Sequence, residues 1–165
     1  MPKLPDHRRS AAAALTAVAP LAARWVERVL ASHDPPLTVA QYLALRAIAK
    51  EPLSGTELAR RTGVSGAAVS QLVSALEEAR LVVRRQGADD RRSYGLVLTS
   101  RGARALESAT ALASERLAEI LADLPRPESD ALVKLLDRVE AALLGKPPPR
   151  RPPPPPRPGP PRLRR

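Results

Sequence analysis

Apolar positions recur along the chain at two periods, and the switch between them marks its organisation. From residue 11 to about residue 32, Leu15, Val18, Leu21, Trp25 and Val29 follow helical spacing. Pro20 lies inside this pattern and predicts a bend or a restart, because proline is tolerated in a first turn but not within a helix. His33-Asp34-Pro35-Pro36 stops the helix, which places His33 at a helix end in contact with water. Thr38-Val39-Ala40-Gln41 has the spacing of a capping box and opens a second helix to about Lys50. Ser54-Gly55-Thr56-Glu57 repeats that signal before a short third helix, Thr56 to Arg61. Thr62-Gly63-Val64 reads as a tight turn, and Ser65 as the N-cap of a fourth helix from Gly66 to about Ala79.

The period then changes to two. Leu81 to Arg85 and Ser93 to Leu98 read as strands, the second with Tyr94, Leu96 and Leu98 on one face. The turn formers Gln86-Gly87-Ala88-Asp89-Asp90 join them into a hairpin. Thr99 caps a long fifth helix to about Leu124, with Leu106, Ala109, Ala113, Leu117 and Ile120 on its apolar rows. Pro125 and Pro127 break it. A sixth helix from about Glu128 to Leu144 carries Leu132, Leu135, Leu136, Val139 and Leu143 on one stripe, with Gly145 suited to its C-cap.

A short helix, a turn with glycine, a longer helix and a hairpin form a winged helix-turn-helix. The predicted class is mainly α with a small β-wing, the winged lobe (38–98) flanked by N- and C-terminal dimerisation helices (11–33 and 99–145). Residues 1–10 read as a flexible arm. Residues 146–165 hold 11 Pro among 20 residues; such a tail cannot bury a core and reads as disordered or polyproline-II.

Composition narrows the chemistry. The 165 residues suit a single domain with its own core. With no Cys, disulfides, thiolate metal sites and thiol redox sensing are excluded, and with two unlike His a zinc site is not expected. Phe is absent, so the core must be built from Leu, Val, Ile and Ala, and single-strand binding by aromatic stacking is disfavoured. The net charge of +10 sits mostly in the tail, whose seven basic residues meet no acid; the first 145 residues carry +3. The N-terminal RRSAAAALTAVAPLAA has the outline of an export signal, but its apolar pattern continues through Trp25 and Val29 as a helix would, so a cytoplasmic protein without membrane segments is expected.

The helix-turn-helix carries the candidate function. The second helix of such a pair enters the major groove, where its N-terminal half meets base edges. Val69, Leu72, Val73 and Leu76 should pack inward. Gln71 is the best base reader, because its amide both donates to and accepts from adenine. Ser65 and Ser70 suit phosphate contacts, and the small Gly66, Ala67 and Ala68 allow close approach. Four arginines (Arg84, Arg85, Arg91 and Arg92) surround the hairpin. The plain alternative is a helical corner with ordinary surface residues; the wing that follows weighs against it.

At this point the chain resembles the MarR family of multiple-antibiotic-resistance-type regulators. ADDRRSYGLVLTSRG matches that family's wing, with Asp90-Arg91-Arg92 as the Asp-x-Arg element and Leu98-Thr99-Ser100-Arg101-Gly102 as the Leu-Thr-x-x-Gly that follows. LTVAQYLALRAIA and TELARRTGVSGAAVSQLVSALEE also fit, so the resemblance spans about residues 11–145. It implies a homodimer held by the first, fifth and sixth helices on a near-palindromic double-stranded operator. It implies Arg92 in the minor groove, oriented by Asp90, and Gln71 where the family's recognition helix reads bases; Ser65, Gly66, Ala68, Ser70, Arg84 and Arg91 are the other contacts, read from the helix-turn-helix and hairpin themselves. It also implies a small aromatic or amphipathic effector in a cleft that Trp25 and Tyr42 would line, though both are read first as packing residues. Two departures stand out: Gly87 and Asp89 replace the first Asp and Arg of the fuller wing motif, and Arg80 stands where the family commonly has glycine.

The expected function is therefore a sequence-specific regulator, a homodimeric repressor released by its effector, with no cofactor or metal. The alternative is a non-specific architectural DNA binder dominated by its basic tail. An enzyme is not expected, for want of a nucleophile–base pair, a carboxylate pair or a phosphate-cradling glycine loop. A protein-interaction module acting through the Pro-rich tail is the fourth reading.

Overall fold

A computed structural model describes residues 6–86 and 94–145. Its order is α1 (Asp6–Ala31), α2 (Val39–Lys50), α3 (Gly55–Thr62), α4 (Gly66–Glu78), β1 (Val82–Gln86), β2 (Tyr94–Leu98), α5 (Ser100–Ile120) and α6 (Arg126–Gly145). The wing tip, 87–93, and the tail, 146–165, lie outside the described residues, and with them the expected sites Asp90, Arg91 and Arg92. Among the described residues no helix is long and apolar enough to cross a membrane.

Local signals start the helices where they were expected. The Thr38 hydroxyl accepts from the Gln41 N–H at 3.1 Å while the Gln41 side chain accepts from the Thr38 N–H at 2.9 Å, a complete capping box. Ser54, Ser65 and Thr99 cap α3, α4 and α5 in the same one-sided way. α1 departs from expectation. It begins at Asp6, inside the stretch read as an arm, and runs unbroken through Pro20. Thr16 and Pro20 are both exposed there, so the Thr16 carbonyl that loses its helical donor lies on a solvent-facing flank. α6 takes Pro127 into its first turn, where a missing N–H costs nothing.

One core joins the elements. Leu30 of α1, Leu45 of α2, Leu58 of α3, Leu76 of α4, Leu81 and Val82 are fully buried. α5 meets this core with small residues, Gly102, Ala105, Ala109 and Ala113, which let its backbone come close. β1 and β2 pair antiparallel from Val82↔Leu98 to Gln86↔Tyr94. Leu53, in the α2–α3 link, exchanges backbone hydrogen bonds of 3.3 and 2.8 Å with Leu96 and anchors the root of the hairpin.

His33 corrects the reading of a solvated helix end. It is 9% exposed. Its Nδ1 lies 2.8 Å from the Pro35 carbonyl, which can only accept, so Nδ1 carries the proton. Its Nε2 lies 2.8 Å from Ser108 Oγ on α5. The ring thus ties the end of α1 to a helix 75 residues away in sequence.

Arg80 adopts φ 57°, the left-handed conformation that usually selects glycine. The Arg80 N–H donates to the Glu77 carbonyl and the Leu81 N–H to the Leu76 carbonyl, both at 2.9 Å, which closes α4 as a Schellman motif. Arg80→Gly is expected to stabilise the chain by about 1 kcal/mol. The denaturant midpoint checks this; an unchanged or lower midpoint would mean the arginine side chain offsets its own backbone strain.

Candidate nucleic-acid interface

The turn between α3 and α4 sets the geometry. Gly63 takes φ 70° and its N–H donates to the Ala59 carbonyl at 2.9 Å, ending α3. Two residues later Ser65 starts α4, its hydroxyl accepting from the Ala68 N–H at 3.3 Å. Val69, Val73 and Leu76 are buried and Leu72 half-buried, as expected of the inner face. Ser65, Gly66, Ala67, Ser70, Gln71 and Ser74 are all exposed on one arc of the helix. Of the expected contacts, Ser65, Gly66, Ser70 and Gln71 are therefore together, while Ala68 lies half-buried at the border. Ser74 shares the arc and was not among the expected contacts, although its helical spacing from Ser70 points to it. Ser70 Oγ donates to the Gly66 carbonyl at 3.3 Å, which leaves its lone pairs outward as acceptors.

Charge around this face is arranged rather than merely positive. On α3, Glu57 binds Arg60 at 2.5 Å and Arg61 at 3.1 Å, and Arg61 also pairs with Glu51. Hydrogen bonds from Arg60 first and Arg61 second hold the Glu57 carboxyl down at about 2, so it is ionised at neutral pH. The two arginines are thereby neutralised by two glutamates. On the wing, Arg84 is not a solitary cation. Its Nε donates to Glu77 Oε1 at 2.9 Å and its Nη2 to Glu77 Oε2 at 3.4 Å. Arg85, on the opposite face of the strand, is exposed and makes no ion pair among the described residues.

Trp25 and Tyr42 are both half-buried. The Tyr42 hydroxyl lies 3.2 Å from Thr110 Oγ1 on α5. The Arg46 guanidinium sits 6.0 Å from the Tyr42 ring centroid and reaches Glu140 of α6 at 3.3 Å. Two cavities among the described residues are lined by neither Trp25 nor Tyr42. One, of about 600 Å³, is an open depression beside Asp34, Pro35, Arg101, Arg104 and Ser108. The other, of about 160 Å³, is a slot between Gly55, Val69, Ser70, Val73, Arg84 and Leu96.

Similarity to known proteins follows the same elements. The model of the MarR family matches residues 36–93, from the start of α2 to the wing. The HTH-type transcriptional repressor Rv2887 of Mycobacterium tuberculosis is 31% identical over 104 residues, covering 62% of this chain and 75% of the relative. The crystal structure of M. tuberculosis Rv2887 in complex with p-aminosalicylic acid superposes with a TM-score of 0.65 at 28% identity, over 78% of this chain and 96% of that one. The transcriptional regulator BldR from Sulfolobus solfataricus gives 0.66 at 25% identity, over 81% and 96%.

Proposed function

The chain belongs to the MarR family of winged-helix transcriptional regulators, and from that premise we propose that it is a homodimeric repressor of a near-palindromic operator, released by a small aromatic acid. The observation that carries the reading is the outward arc of α4. Gly66 and Ala67 keep it low enough to seat against base pairs, Ser65 keeps its hydroxyl proton to donate to a phosphate, Ser70 offers an acceptor to a base-edge amino group, and Gln71 alone offers a bidentate amide to adenine. The wing follows in the same chain, and Arg91 and Arg92, with Asp90 orienting Arg92, supply its minor-groove contacts.

The dimer has physical support. Leu15, Val18 and Leu21 of α1, Ile120 of α5, and Leu136 and Leu143 of α6 are 42–67% exposed in the isolated protomer. Apolar residues in rows on three helices call for a partner surface. A two-fold pair would set two α4 helices against successive major grooves, roughly 34 Å apart. The effector class rests on Rv2887, whose ligand is an aromatic acid with an amino and a hydroxyl group. Trp25 and Tyr42 are the side chains proposed to meet such a ring. A regulator that acts on chromosomal DNA would act in the cytoplasm.

The test is enrichment of duplexes from a random-sequence pool by the full-length chain. An inverted repeat should emerge, and Gln71→Ala should relax the preference at one position per half-site with a loss of about 1–3 kcal/mol there. p-Aminosalicylate should weaken the complex. Binding that ignores sequence and vanishes on removal of residues 146–165 would replace this reading with that of a basic-tail DNA binder.

A further inference from the structure

We propose that Glu77 is the positioning residue of this interface: its carboxylate pins the first strand of the wing to the recognition helix and aims Arg84 at the DNA backbone. The inference rests on the regulator reading above and goes beyond it, because an acidic residue beside a polyanion site is assigned a favourable role.

The geometry is specific. Glu77 sits in the last turn of α4 and Arg84 is the third residue of β1, seven positions on, across the left-handed turn at Arg80. Both carboxylate oxygens are used, by Nε at 2.9 Å and by Nη2 at 3.4 Å. A two-point grip fixes the plane of a guanidinium as well as its position. Five N–H groups belong to a guanidinium, so three remain. The Arg84 side chain is 57% exposed, against 33% for Glu77, so those three are on the solvent side. Arg84 also closes the slot that Ser70 and Val73 of α4 share with Leu96 of β2, which places it beside the arc that carries the candidate base contacts. The hairpin is joined to the helical lobe by the burial of Val82 and Leu96 in the shared core and by the backbone pairing of Leu53 with Leu96. This ion pair adds a side-chain link directed at the recognition helix itself.

Electrostatics and positioning predict opposite signs for one substitution. If Glu77 acts only through its charge, Glu77→Gln removes a repulsion from phosphates and tightens binding to every duplex. If Glu77 positions Arg84, the same change frees a long side chain whose ordering then opposes binding. The experiment titrates full-length wild type, Glu77→Gln and Arg84→Lys with two duplexes: the one wild type enriches from a random pool, and its scrambled counterpart. Each is measured across a salt series, with a thermal midpoint for every variant. Glu77→Gln is expected to bind both duplexes about tenfold more weakly, because a phosphate contact is made on any sequence. Its salt slope should be shallower by about one phosphate contact. Arg84→Lys keeps the charge but loses the fork, and should show the same loss on both duplexes. It decides the matter alone if Glu77→Gln fails to fold. Equal or tighter binding of the enriched duplex by a folded variant, with an unchanged slope, overturns the proposal and leaves the regulator reading intact. If wild type enriches no sequence, both fall together.

Discussion

Gly102→Ala is expected to be among the most damaging single-methyl changes available to this chain. A Cβ built on Gly102 would sit 1.9 Å from the Leu81 carbonyl oxygen and 2.8 Å from its carbon. Both atoms are backbone, so no side-chain rotamer can relieve the clash. The first turn of α5 would have to lift off the end of the recognition helix. That lift would break the 3.0 Å hydrogen bond from the Thr99 N–H to the Leu81 carbonyl and expose the fully buried Leu81 side chain. A cost of about 3 kcal/mol is expected, the upper range for an overpacked site. For a chain of this size that is a fall in Tm of roughly 10 °C. Gly66→Ala adds the same methyl where nothing lies within 4 Å, and serves as the control. Thermal melts followed by circular dichroism read both. A Gly102→Ala midpoint within about 2 °C of wild type would show that α5 does not approach Leu81 this closely.

The second large effect concerns assembly. Leu136 and Leu143 lie on the α6 stripe, 52% and 67% exposed in the protomer. Burial of one leucine contributes about 2 kcal/mol, so four in a two-fold dimer contribute ~8 kcal/mol. Leu136→Glu with Leu143→Glu removes that and places carboxylates where the partner would be. The double variant is expected to run as a monomer in size exclusion with light scattering. It should retain most of its helical signal, because neither side chain is in the protomer core. Operator affinity should fall at least a hundredfold, since each half-site is then bound alone. A variant that stays dimeric would move the interface away from α6.

The parts of the fold that were legible in the sequence are those decided within four residues of chain. Thr38, Ser54, Ser65 and Thr99 each announce a helix, and each caps one. The inward set of α4 follows from helical period, and the outward arc is its complement. What was not legible depends on partners brought near by folding. His33 was read as solvated because nothing local hides it; Ser108 and the Pro35 carbonyl do. Arg84 was read as a DNA contact from its sign, while its two-point hold by Glu77 exists only once the chain turns back at Arg80. Pro20 predicts a bend or a restart from propensity alone; the helix does not restart there, since an exposed flank accommodates the proline. Arg80 is the opposite case: similarity to the family marked the position as one for glycine, and its backbone takes the conformation that glycine would.

The contact of Gly102 with Leu81 has a mechanical consequence. Thr99 Oγ1 donates at 2.7 Å toward the Arg80 carbonyl, and the Thr99 N–H holds Leu81, so the end of the recognition helix and the start of α5 meet as a joint without clearance. α5 is 21 residues, about 31 Å of lever at helical rise. Its far end, around Ile120 and Leu121, is exposed. A shift of about 3 Å there corresponds to roughly 5° at the joint over that length. With no slack between Gly102 and Leu81, a rotation of α5 of that size would reach the end of α4 rather than be lost as slip.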